Sequence, residues 1–124
     1  NKLVQDSRVV VMEGVNARHP FHLPDRVDLA VADVSFISLR LVAPEMVKHL
    51  KPSGYLLLLV KPQFEAERGE VGRGGVVRDS FVHARVLGRF ITWAIKQGYR
   101  LRGLTISPLV GDAGNKEFFV LLQP

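Results

Sequence analysis

With 124 residues, 47% of them hydrophobic, the chain has the size of one domain, residues 1–124, and enough apolar material for a real core. The absence of Cys excludes disulfides and thiolate chemistry and suits a cytoplasmic location; no apolar run approaches the roughly 20 residues of a membrane helix, so no membrane partner is expected. Lys and Arg exceed Asp and Glu by 17 to 12, a formal charge of +5, which points to a polyanion such as nucleic acid as partner.

Taken in order, residues 1–6 read as the tail of a helix. Arg8 to Gly14, with three consecutive valines, reads as a short buried strand. Val15 to Arg18 is a loop, and His19 to Arg26, with Pro20 and Pro24, is an irregular connection. Val27 to Val34 is a second strand that ends on a polar residue, Asp33. After Ser35-Phe36-Ile37-Ser38 a helix follows, in which Leu41, Val42, Met46, Val47 and Leu50 form one apolar stripe. Pro44 must fall in its first turn or kink it. The four histidines, His19, His22, His49 and His83, have no metal-ligand spacing, and no metal site is expected.

Lys51 to Gly54 reads as a turn. Tyr55 to Val60 is a run of six apolar residues, predicted to be a strand buried on both faces, and it delivers Lys61 at its C-terminal end. That end of an open α/β sheet is where ligands bind. On this stretch alone, a catalytic lysine and one that merely snorkels into water are equal readings.

Glu65 to Arg78 is polar and glycine-rich and reads as a long, mobile, basic loop. Its glycines fit neither of the phosphate-loop spacings. Asp79 is a good N-cap for a helix that runs to about Gln97, with Val82, Val86, Phe90 and Ala94 inside and Gly98 as the stop. Two strands, Arg100 to Ser107 and Lys116 to Leu122, close the chain around a return at Gly111 to Asn115.

The predicted fold is α/β, a mostly parallel sheet with an antiparallel last strand. It brings Asp33, Lys61 and the segment Asn115-Lys116-Glu117 to one sheet edge. Alone, Asp33 would be a capping aspartate and Glu117 a solvent-facing strand residue; three such residues at one edge point to chemistry.

The segments Asp33-Val34-Ser35-Phe36-Ile37-Ser38-Leu39, Val60-Lys61-Pro62-Gln63-Phe64-Glu65, Gly74-Gly75-Val76-Val77-Arg78-Asp79 and Gly114-Asn115-Lys116-Glu117-Phe118 resemble the TlyA (hemolysin A) family over nearly the whole chain. The resemblance implies a Rossmann-like, FtsJ-like methyltransferase fold that uses S-adenosylmethionine to methylate ribose 2′-hydroxyls of ribosomal RNA, so ribosomal RNA or a ribosomal subunit is the implied partner. Of the family's Lys-Asp-Lys-Glu tetrad, Asp33 matches the aspartate, Lys61 the second lysine and candidate base, and Glu117 the glutamate. The first lysine, the glycine-rich cofactor loop, the first strands and the small RNA-binding domain have no counterpart, and the fragment alone is not expected to have a well-tuned base. Asn16 and Asp33 are the cofactor-binding candidates, Asn16 by its place in the fold at the adenine edge. Arg68, Arg73 and Arg78 form an RNA-facing flap, or else an ordinary solvated loop. Without the first strands an apolar sheet edge is left open, so pairing into a homodimer is expected. The other readings are a non-catalytic RNA-binding or assembly module and, from the family name, a hemolysin-type protein.

Overall fold

The computed structural model describes residues 1–124. Its elements are β1 (Val27–Ala32), α1 (Leu39–Val47), β2 (Leu50–Val60), α2 (Pro62–Glu65), α3 (Ser80–Lys96), β3 (Arg100–Ile106) and β4 (Phe118–Gln123), with short 3₁₀ turns at Arg68–Glu70, Arg73–Gly75 and Asp112–Gly114. The four strands form one sheet in the order β1-β2-β4-β3. β1 pairs with β2 in parallel, while β4 is antiparallel to both β2 and β3. Three strands therefore run one way, and only the last strand is reversed, inserted between β2 and β3. The sheet is thus mixed, one parallel pair and two antiparallel ones, in an α/β fold with the antiparallel last strand that the sequence predicts.

Register explains the burial pattern. Ala30 and Ala32 sit opposite Leu56 and Leu58, which in turn sit opposite Leu122 and Val120, so these side chains share one face. That face packs against Leu39 and Ala43 of α1 and Leu87, Phe90 and Ala94 of α3 as a single core. The other face has no helix on it: Leu29 and Val31 are 51% and 58% exposed, and Leu57 and Leu59 are only partly covered. The expectation that β2 is buried on both faces is thus corrected, because both long helices lie on the same side of the sheet. β2 is also longer than expected. It begins at Leu50, so Lys51 to Gly54 is irregular strand with a register shift rather than a free turn.

α3 matches its sequence signals. Asp79 accepts a hydrogen bond from the Phe81 N–H at 2.8 Å, and Gly98 takes the left-handed conformation, φ +90°, that ends the helix. In α1 the buried stripe is Leu39, Val42 and Ala43, with Leu41 44% exposed, a rotation of the expected stripe. Pro44 is the sixth residue of α1, beyond the first turn.

The first strand expected from the sequence is absent. Residues 9–12 have no regular structure and Val10 is 82% exposed. β-branched residues favour a strand only where a neighbour takes up the backbone hydrogen bonds, and no strand of this sheet lies beside them. Residues 1–6 form turns, not a helix. Phe90 is fully buried at the centre of the core, and Phe90→Ala is expected to cost about 3–5 kcal/mol, measured as a lower urea midpoint at unchanged slope.

Candidate functional site

Two registers build the site. Ala32 lies opposite Leu58 and Val60 lies opposite Phe118, so the residues that follow β1 and β2 and precede β4 meet at one sheet edge. There Lys61 Nζ is 2.7 Å from Asp33 Oδ1 and donates a hydrogen bond to Ser35 Oγ at 3.2 Å. The lysine side chain is only 13% exposed, whereas Asp33 is 65% exposed and presents its carboxylate outward. A lysine that snorkels would reach bulk water; this one is turned onto a partner.

Glu117 is buried, 7% exposed, and its Oε2 accepts from Gln63 Nε2 at 3.0 Å. Its carboxylate lies against the backbone of Gly111, where a Cβ would come within 2.1 Å of Oε2. Any side chain there would have to displace the Glu117 carboxylate. Glu117 therefore joins the site through Gln63, two residues beyond Lys61, and has no ion pair with Lys61. It is not the solvent-facing strand residue that its position alone would suggest.

α2 ties this corner to α1. Glu65 accepts from Ser38 Oγ and from the Leu39 N–H, both at 2.7 Å, and so caps the helix. Burial pushes the Glu65 carboxyl up, against the lowering effect of these bonds and of Arg40. Beside it Phe36 is 88% exposed with φ +59°, a left-handed conformation that costs energy for a bulky residue, and its ring lies 4.8 Å from that of Phe64. A cleft of about 160 Å³ opens between this aromatic pair, Gln63 and the Gly74-Gly75 turn. The sequence reading missed Phe36, Gln63 and Glu65 as site residues. The available signal was an aromatic residue in a polar turn, Ser35-Phe36-Ile37-Ser38.

The glycine-rich loop is not the mobile flap that its composition suggests. Asn115 Oδ1 accepts from the buried Val77 N–H at 3.0 Å, and its Nδ2 donates to the carbonyls of Gly75 and Asp112, each at 3.0 Å. Glu70 accepts from Arg89 and Arg85 of α3 and from the Glu67 N–H. The loop is pinned at both ends, with Arg68, Arg73 and Arg78 exposed on it and free of carboxylate partners. Asn16 makes no hydrogen bond to Asp33, Lys61 or Glu117. It is exposed, and its side chain accepts only from the Arg18 N–H two residues on.

The family model of FtsJ-like methyltransferases matches residues 1–124. The Bacillus subtilis protein YqxC, provisionally named an rRNA methyltransferase, is 48% identical over 125 residues, 98% of this chain and 44% of that protein. The 16S/23S rRNA (cytidine-2′-O)-methyltransferase TlyA of Mycobacterium tuberculosis is 45% identical over 98% of this chain and 46% of its own length. A solved structure from Streptococcus thermophilus that carries a provisional hemolysin name superposes with a TM-score of 0.93 at 42% identity, over 98% of this chain and 45% of that one. The chain spans about half the length of the curated relatives it matches.

The pinned loop generates two expectations. The Glu70 carboxyl is held down to about 2, from an ordinary 4.5, first by Arg89, then by the Glu67 N–H and Arg85. A depressed carboxylate contributes stability above its unfolded value and loses it as pH falls through the folded one. Hydrogen exchange of residues 67–75 should therefore be flat above pH 4.5 and, corrected for intrinsic rates, lose protection as pH falls toward about 2. Asn115→Ala, which leaves the buried Val77 N–H without an acceptor, is expected to cost about 1–3 kcal/mol and to speed exchange at Val77.

Proposed function

This chain belongs to the FtsJ-like methyltransferase family, and from that premise we propose that it forms the catalytic portion of an S-adenosylmethionine-dependent ribose 2′-O-methyltransferase of ribosomal RNA, working in the cytoplasm. The observation that carries the reading is Lys61 held by Asp33 at 2.7 Å at the C-terminal ends of two adjacent parallel strands. Its substrate class follows from the name of the 45% identical relative, an rRNA cytidine-2′-O-methyltransferase.

Lys61 has three tetrahedral positions on Nζ besides its own stem. Two face Asp33 and Ser35, which leaves the third for a ribose hydroxyl. Lys61 is the candidate acceptor of the hydroxyl proton, with Asp33 orienting its Nζ. Glu117 acts one step back: it holds Gln63, whose backbone follows Lys61, and keeps this corner rigid under Gly111. Phe36, exposed on Phe64, offers the target base a stacking face. Arg68, Arg73 and Arg78 supply phosphate contacts around it.

The residues present suit one end of the cofactor. Asp33 presents an exposed carboxylate at the end of β1, matched in charge to the α-ammonium group of S-adenosylmethionine. When bound, that group supplies an electrophilic methyl. Asn16 is a weaker choice, being exposed and remote in hydrogen bonding from this corner. The unpaired outer edge of β1, with Leu29 and Val31 exposed beside it, supports association of this chain through that edge, whether with a second copy or with further strands of its own protein.

The test is transfer of labelled methyl groups to ribosomal subunits by the protein that carries this chain, alongside calorimetry with S-adenosylmethionine. Lys61→Met is expected to lower transfer by about 10²- to 10⁴-fold with cofactor binding retained. Undiminished transfer by that variant would remove Lys61 from the chemistry. Absence of cofactor binding by the unaltered protein would leave the non-catalytic RNA-binding reading instead.

A further inference from the structure

The largest cavity of the molecule is not at the Asp33–Lys61 corner. It is a groove of about 520 Å³ between α1 and α3, to which Arg40 contributes from α1 and Arg85, Arg89, Thr92, Trp93 and Lys96 from α3. The α3 residues Arg85, Arg89, Thr92 and Lys96 recur every three or four positions, so they lie along one face of the helix. From Arg85 to Lys96 this stripe extends about 16 Å along the axis, enough to follow more than one phosphate of a strand.

Three observations single the groove out from an ordinary solvated helix face. Arg40 makes no side-chain hydrogen bond or ion pair, and its Nε is buried without an acceptor. Lys96 is likewise unpaired, while Glu70 bridges Arg85 and Arg89 and shows that this fork accepts a carboxylate. Gly88 sits in the middle of α3, where glycine weakens a helix, and nothing lies within 4 Å of the place its Cβ would take. Packing does not demand that glycine. Its effect is to leave the groove open at that point.

We propose that this groove binds the backbone of an RNA strand, with phosphates on the unpaired Arg40 and Lys96 and a base against the exposed part of Trp93. The inference rests on the reading of the chain as part of an RNA-modifying enzyme, and adds to it a second contact surface apart from Arg68, Arg73 and Arg78. An anionic membrane also attracts basic residues, but a membrane-binding face sets them around exposed apolar side chains. Here Trp93 is the one hydrophobic residue of a concave, basic lining. Trp93 is held edge-on to Tyr99 and packed against Phe90, a rigid platform of the kind on which bases stack.

The test is fluorescence anisotropy of a labelled single-stranded RNA of about 15 nucleotides, titrated across a salt series. Gly88→Glu fills the groove with a carboxylate while improving helix propensity, so the thermal midpoint should hold or rise as RNA affinity falls about tenfold. The double variant Arg40→Gln with Lys96→Gln should flatten the slope of log K against log salt by about 0.7 for each phosphate contact removed. Arg73→Ala and Arg78→Ala form the comparison arm. If these weaken RNA binding while both groove variants bind normally, the groove proposal is overturned and the functional reading stands. If the unaltered protein binds no RNA, both fall. If the groove variants lose binding to phosphatidylserine vesicles but not to RNA, the groove belongs to a membrane surface and the proposal is again overturned.

Discussion

The approach of Glu117 to the Lys61–Gln63 corner depends on the insertion of β4 between β2 and β3 in one register. Val60 opposite Phe118 puts the end of β2 beside the start of β4, and so Lys61 and Gln63 beside Glu117. Because side chains alternate along a strand, a slip of one residue would turn Val120 and Leu122 out of the core and carry Glu117 to the opposite side. The two fully buried residues thus fix the position of a polar one. Asp33 depends on a separate, parallel register between β1 and β2, and the Lys61–Asp33 pair is where the two registers meet.

The elements that were legible in the sequence are those whose determinants are local. α3 carries its own cap, its own stop and an apolar repeat, and it forms where those signals say. The strands of the sheet were legible as runs of apolar residues, yet the coverage of their faces was not. Alternation at Leu29 and Val31 is hidden when both faces are apolar, and only the placement of α1 and α3 decides which face stays open. The valines at 9–11 show the same limit from the other side: propensity without a partner strand leaves them exposed.

The site divides in the same way. Motif and strand order single out Asp33, Lys61 and Glu117 as candidates, and the structure sets two of them in direct contact and ties the third to Gln63. What composition misrepresented is the glycine-rich loop. Glycines at 69, 72, 74 and 75 signal backbone freedom, but the hydrogen bonds that remove it come from Asn115, about forty residues along the chain, and from α3. No local pattern records such a tie. Ala113 at φ +56° and Gly114 at φ +81° shape the turn that aims Asn115, so the loop is ordered by another turn rather than by itself.

The charge of the chain acquires its meaning from the same arrangement. Six of the 17 basic residues, Arg8, Lys48, Lys51, Lys61, Arg85 and Arg89, are in ion pairs. Most of these pairs are exposed, and pairs of that kind add little to stability. The remaining cations include Arg68 and Arg73 on the loop and Arg40 and Lys96 in the groove. Glu70 joins the two sets, since it belongs to the loop and is bound by Arg85 and Arg89 of the helix that lines the groove. The basic surfaces are therefore held in a fixed relation. Cations on a hydrogen-bonded backbone orient a polyanion more effectively than the same charges on a mobile flap, because less backbone entropy remains to be lost on contact.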